Sequence, residues 1–166
     1  MRYEKFVLNN QFKLLQKIGQ GSFGKVYLAQ DAHNHGELVA VKTEKINAVF
    51  SQLVKEIQVY PLLNGVGFPR LIKKGVSAEK GFIYIATNLL GPSLEDLYNL
   101  CDNKFSIKTS LMIFYQMLER LEFMHSQDLI HRDIKPDNLM MGMGADSHIV
   151  TVIDFGLTRS IIDPKT

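Results

Sequence analysis

The sequence predicts an α+β fold, a five-stranded antiparallel sheet carrying one helix and then a mainly helical segment. Three observations point there. Short runs rich in Val, Ile and aromatic residues, punctuated by glycine and polar turns, fill the first half of the chain. A single run with the three-and-four spacing of a buried helical stripe interrupts them at residues 50–63. From Gly91 onward the short runs give way to helix-length apolar periodicity. A chain of 166 residues suits one domain or two small lobes that share a site.

Residues 12–18 read as a strand entering the turn Gly19-Gln20-Gly21-Ser22-Phe23-Gly24, and residues 25–30 leave it as a second strand, so the glycines close a hairpin. His33-Asn34-His35-Gly36 makes the next turn, and residues 38–42 form a third, β-branched strand. Connections this short exclude helical crossovers and favour an antiparallel meander. In the helix, Phe50, Leu53, Val54 and Ile57 share one stripe, while Pro61 bends or ends it near Val59. Residues 68–74 and 81–87, on either side of a polar turn, complete the five strands. Ser93, with Asp96 three residues on, is placed to cap a short helix. Ser106 caps a long one running to about Ser126, with Leu111, Phe114, Leu118, Leu121 and His125 as its apolar face. Met112, Tyr115, Met117, Phe123 and Met124 make that helix hydrophobic nearly all round, so it is expected at the centre of a core. The remainder reads as loops and short strands, with residues 149–153 running into Asp154.

Composition narrows the function classes. Hydrophobic residues make up 46% and charged residues 22%, enough apolar surface to fold without a disulfide. Nineteen Lys and Arg against seventeen Asp and Glu leave +2 and no basic stripe, which argues against a nucleic-acid partner. The most apolar stretch, residues 82–90, is nine long, where a membrane span needs about 20. Neither a secretory leader nor an N-myristoylation signal is readable at the start. The single cysteine, Cys101, has no internal partner and favours a reducing compartment, so a cytoplasmic or nuclear location is expected. The scattered histidines and lone cysteine give no zinc pattern.

The glycine turn, Gly19-x-Gly21-x-x-Gly24-x-Val26, has a spacing that dinucleotide-binding turns also use. Those turns run from strand to helix, whereas residues 25–29 continue here as a strand. Such a hairpin lets its backbone approach a polyphosphate and donate N–H groups to it. A purely structural tight turn is the plainer alternative. Lys42 ends the apolar run 38–41, and Glu56 follows fourteen residues later in the helix. A strand lysine held by a helix glutamate is a fixed positive point for the α- and β-phosphates of a nucleotide. The plainer reading is a surface lysine and a solvated glutamate. The dense signal is His131-Arg132-Asp133-Ile134-Lys135-Pro136-Asp137-Asn138, followed by Asp154-Phe155-Gly156. Phosphoryl transfer to a hydroxyl needs a carboxylate that orients and accepts the proton, here Asp133. It also needs hard oxygen ligands for Mg²⁺, here Asn138 and Asp154, and a cation near the transferred phosphate, here Lys135. Asn138 lies five and Asp154 twenty-one residues after Asp133, a spacing that a loop followed by a hairpin can converge on one metal.

These motifs together resemble a eukaryotic protein kinase, and within that superfamily the casein kinase 1 group. The general likeness rests on Gly19, Gly21, Gly24 and Val26, on Val39-Ala40-Val41-Lys42, on Glu56, and on the two later motifs. The group likeness rests on Leu89-Leu90-Gly91-Pro92-Ser93-Leu94-Glu95-Asp96-Leu97, on Lys104-Phe105-Ser106, and on Lys135-Pro136-Asp137-Asn138 running into Met141-Gly142-Met143-Gly144. The resemblance implies a kinase-like fold, with an N-lobe at residues 1–88, a hinge at 89–93 and a truncated C-lobe at 94–166. It implies that Gly19, Gly21, Ser22 and Gly24 cover the ATP phosphates, that Lys42 contacts them and that Glu56 orients Lys42. Asp133 is then the catalytic base, Lys135 steadies the γ-phosphate, and Asn138 and Asp154 bind Mg²⁺. Ile18, Val26, Ala40, Leu89 and Met140 form the apolar clamp around adenine, with Ile153 at its inner end. Thr87 takes the gatekeeper position beside a hinge of Asn88, Leu89 and Leu90. His131 is assigned to packing and hydrogen bonding, and Arg132 to neutralising a local carboxylate or an activation-segment phosphate.

The same resemblance marks departures. Members of the group continue past the position of Thr166 through an activation segment, a substrate platform and further helices. A bulky gatekeeper and an acidic hinge residue are usual where Thr87 and Asn88 stand. The implied activity is ATP- and Mg²⁺-dependent transfer to Ser or Thr hydroxyls of protein substrates, acidic or already phosphorylated. The Lys135 position favours Ser/Thr over Tyr acceptors. The other reading is a non-catalytic nucleotide-binding or regulatory module that associates with a protein partner covering an exposed C-lobe surface.

Overall fold

The computed structural model describes residues 7–21, 24–48 and 51–161. They divide into two compact units: one holds the described residues up to Gln58 together with Arg70–Leu89, the other Val59–Pro69 and the chain from Leu90.

In the first unit, strands β1 (Val7–Leu8), β2 (Phe12–Gln20), β3 (Lys25–Asp31), β4 (Glu37–Lys45), β5 (Leu71–Ser77) and β6 (Phe82–Asn88) form one antiparallel sheet, in the order β1-β2-β3-β4-β6-β5. The expected five strands are joined by a sixth, β1, whose two residues are too few to show alternation. The meander also breaks at its end, because β6 pairs with β4 and leaves β5 outermost. Alternation sorts the side chains. Phe12, Leu14, Ala29, Val39, Val41, Tyr84 and Ala86 bury against one another, and Phe12 meets Tyr84 edge-on at 5.9 Å. The opposite face of β4 therefore carries Ala40, Lys42 and Glu44. Helix α1 (Gln52–Val59) ends where Pro61 predicts, passing into a 3-10 turn at Tyr60–Leu62.

The second unit contains helices α2 (Leu94–Leu100) and α3 (Ile107–Ser126) and the short strands β7 (Leu129–Ile130), β8 (Leu139–Met141), β9 (Val150–Val152) and β10 (Arg159–Ser160). β8 pairs with β9, and β7 with β10, both antiparallel. Ser93 caps α2 in a reciprocal box with Asp96, and Ser106 caps α3 through the Thr109 N–H, both as the spacing predicts. The burial of α3 differs from expectation. Its buried stripe is Met117, Arg120 and Met124, while Leu111 is 62% and Phe114 59% exposed. Among the described residues α3 is covered on one side only. Periodicity counts apolar residues around a helix but does not say which neighbours reach them.

Phe155 is fully buried in this unit, ringed edge-on by Tyr60 at 5.3 Å and His131 at 5.7 Å, with Phe68 at 6.3 Å. Residues 60–68 thus pack under the segment that carries Asp154.

Candidate active site

Register places much of the predicted site on one face of the first unit. Val26 pairs with Lys42, and Ala40 with Thr87, so all four side chains rise from the same side of the sheet. Lys42 Nζ meets Glu56 Oε2 at 2.6 Å, and the Glu56 side chain is almost wholly buried. The strand lysine and helix glutamate are therefore a formed ion pair, not two solvated side chains. Thr87 is buried, and Leu89 is half-buried at the end of this unit. Ile18 sits at an irregularity in the β2–β3 pairing and is exposed. Ser22 lies outside the described residues.

The three glycines of the turn differ in their surroundings. Among the described residues a Cβ on Gly21 would meet nothing within 4 Å, and one on Gly19 only ordinary contact with Val26 at 3.5 Å. A Cβ on Gly24 would lie 2.5 Å from the backbone oxygen of Thr43. Gly24 is needed for close approach of the hairpin to β4, whereas Gly21, whose N–H donates to the Gly24 carbonyl at 3.0 Å, has open space beside its Cα among the described residues.

The second unit builds its part around Asp133. The Asp133 Oδ2 accepts from Lys135 Nζ at 3.0 Å and from Asn138 Nδ2 at 2.8 Å. The Lys135 hydrogen bond first, then that of Asn138, hold the carboxyl below its ordinary value, so Asp133 is ionised at neutral pH. The same partner raises the Lys135 amine. Asn138 Nδ2 also donates to the Asp133 backbone oxygen at 2.8 Å, and both donors spent on Asp133 turn its Oδ1 away as an acceptor.

Asp154 is placed by its neighbour Ile153. The Ile153 N–H donates to the Asn138 backbone oxygen at 3.0 Å, and its carbonyl faces His131 Nε2 at 3.0 Å. His131 Nδ1 accepts from the Asp133 N–H at 3.2 Å. A neutral imidazole with its proton on Nε2 satisfies both bonds, and burial lowers the His131 pKa accordingly. One buried ring thus links the backbone of Asp133 to that of Ile153, the packing and hydrogen-bonding part expected of it. Asp154 itself adopts φ +65°, a left-handed conformation uncommon outside glycine and frequent at functional positions. Arg132, also left-handed, donates from Nε to the Leu157 carbonyl at 2.9 Å. Half-buried Leu90 opens this unit's chain after residue 89, and Met140, also half-buried, lies on β8 bridged to Ser93.

Asn138 offers an amide oxygen and Asp154 a carboxylate, hard oxygen donors of the type Mg²⁺ would accept, and no three His, Cys, Asp or Glu side chains cluster as a metal site among the described residues.

Two contacts made by Asn88 and Glu44 do not show in the sequence. Asn88, read as a lost hinge charge, accepts from the Arg70 N–H through Oδ1 at 2.7 Å and so secures the start of β5. Glu44 is buried on the face of β4 that carries Lys42. Its signal was available in the alternation, two residues past Lys42, but a lone glutamate in a strand reads as solvated.

The protein kinase domain family model matches residues 12–166, which contain every motif described above.

Proposed function

The chain belongs to the protein kinase domain family, and from that premise we propose that it is a serine/threonine kinase of the casein kinase 1 group, moving the γ-phosphoryl of ATP to protein hydroxyls. The observation that carries this reading is Asp133: ionised, with Oδ2 occupied by Lys135 and Asn138, it keeps Oδ1 to receive the hydrogen bond of an acceptor hydroxyl. That contact orients the hydroxyl oxygen for in-line attack and takes its proton as the bond to phosphorus forms. Lys135, half-exposed on a flexible stem, follows the transferred group and offsets its charge. Lys42, fixed by Glu56, contacts the α- and β-phosphates, and Gly19, Gly21 and Ser22 lay backbone over them. The kinase likeness assigns Ile18, Val26, Ala40, Leu89 and Met140, with Thr87, Leu90 and Ile153, to adenine, and threonine in place of a bulkier side chain at position 87 leaves room behind the ring. Asn138 and Asp154 hold Mg²⁺, which when bound neutralises charge developing on the phosphates. Acceptors rich in acidic or phosphorylated residues follow from the group likeness.

A second reading has its own observation. The apolar α3 side chains Leu111, Met112, Phe114 and Tyr115 are all exposed, as they would be in a module that binds nucleotide and acts by association. Incubation of the chain with Mg²⁺, labelled ATP and an acidic Ser/Thr protein, followed by phosphoamino-acid analysis, separates the two. The kinase reading expects phosphoserine or phosphothreonine and no phosphotyrosine. Nucleotide binding without label on the substrate would favour the module, and label on tyrosine would refute the acceptor class.

A further inference from the structure

Glu44 is an expensive residue in its place. It is only 4% exposed, and its Oε1 has no hydrogen-bond partner among the described residues. Its Oε2 accepts from the Leu53 N–H at 2.9 Å, a buried bond into the first turn of α1. That turn contains no acidic residue of its own, and Ser51 Oγ takes the next N–H, that of Val54, at 3.2 Å. The strand therefore supplies the anion that a helix N-terminus favours. On the same face of β4, Lys42 reaches one helical turn further along α1 to Glu56. The two ties are about 7 Å apart on the strand and about 4.5 Å apart on the helix. Their polarity is crossed, strand cation to helix anion and strand anion to helix N–H. One tie fixes a single point on α1, whereas two, beside the buried Leu53, also fix its roll.

We infer that Glu44 is a positioning residue, which locks α1 against β4 so that Glu56 stays on Lys42. The inference rests on the assignment of Lys42 and Glu56 to ATP binding made above, and it adds a built-in anchor for the helix on which that pair depends. The geometry distinguishes reach from charge. Glutamine presents an oxygen at the same distance, while aspartate keeps the charge and falls one methylene short of Leu53.

The test compares Glu44→Gln, Glu44→Asp and Glu44→Ala, all read well below their melting temperatures. Acetylation of Lys42 by acetic anhydride, followed by mass spectrometry, reports the ion pair without nucleotide, and Mg²⁺-ATP titration reports its consequence. Loss of the buried hydrogen bond to Leu53 should speed Lys42 acetylation and weaken ATP binding about tenfold in Glu44→Asp and Glu44→Ala. Glu44→Gln should stay near the parent chain in both. If Glu44→Ala does not fold, the Asp and Gln variants decide alone. A folded Glu44→Asp with parental acetylation and affinity overturns the inference, as does a folded Glu44→Gln with faster acetylation and weaker affinity than the parent. If the parent chain binds no ATP, the nucleotide assignment fails by itself, and the acetylation rates still decide the role of Glu44.

Discussion

Replacing Gly24 by alanine should cost stability, whereas the same change at Gly21 should not. The added Cβ at residue 24 would lie 2.5 Å from the Thr43 carbonyl oxygen and 3.4 Å from its carbon. Carbon and oxygen in contact stand about 3.3 Å apart, so strand and turn must separate by roughly 0.8 Å. Thr43 cannot yield alone, because it pairs with Lys25 on one side and Tyr84 on the other. Overpacking of this kind costs about 1–3 kcal/mol, of which about 0.4–1 is offset by the lower entropy of the unfolded alanine chain. The net of about 0–2.6 kcal/mol lowers the melting temperature by up to about 10 °C in a chain of this size, and the gap to Gly21→Ala carries the full overpacking cost. At Gly21 only the entropy effect operates, and the melting temperature should hold or rise. The ligand response should be opposite, with Gly21→Ala weakening Mg²⁺-ATP binding where backbone approaches phosphate. Thermal denaturation of the two variants is the assay. Equal melting temperatures would refute the claim that Gly24 is required by packing against β4.

Burial keeps His131 neutral and lowers its pKa, so the unfolded chain binds its proton at higher pH than the folded one. Stability from this group is therefore complete above about pH 6.5 and is lost as pH falls toward the depressed folded value, with a slope of at most about 1.4 kcal/mol per pH unit. Urea denaturation between pH 5 and pH 7.5 (about a unit or more either side of the free histidine value) should show this fall in the parent chain and a flatter profile in His131→Asn; a flat parent profile contradicts it. Phe155→Ala removes a fully buried ring held by Tyr60, Phe68 and His131, and should cost about 3–5 kcal/mol in chemical denaturation. A loss well under that range would mean the site collapses around the gap. Gly67→Ala drives a Cβ into the buried Arg120 Nε at φ +86°, and about 2–5 kcal/mol is expected from strain and displacement together. Calorimetric melting indistinguishable from the parent would show that Arg120 moves aside freely.

Local signals carried most of the fold. The β2–β3 hairpin, the end of α1 before Pro61 and the caps at Ser93 and Ser106 all follow from short-range chemistry, and all stand where that chemistry puts them. Long-range choices did not show in the pattern. Nothing in residues 71–88 says that β6 inserts between β4 and β5, because either order preserves the same alternation. The α3 stripe Met117-Arg120-Met124 was hidden by apolar residues on every side of the helix, and a buried arginine is the least expected member of such a stripe. Residue type and spacing singled out Asp133 and Asn138 together, and hydrogen bonds join them. The site was illegible where a residue acts through backbone groups, as Glu44 does on Leu53 and Asn88 on Arg70.

The most direct test of the account compares the 166-residue chain with Asp133→Asn, measuring Mg²⁺-dependent phosphoryl transfer from ATP and, in parallel, Mg²⁺-ATP affinity. Asparagine keeps the shape of Asp133 and loses the charge that receives the hydroxyl proton. Transfer should fall by about 10²–10⁴ while nucleotide affinity stays close to that of the parent. Transfer that persists undiminished in Asp133→Asn would contradict the assignment of the catalytic base, and with it the chemistry built around that residue.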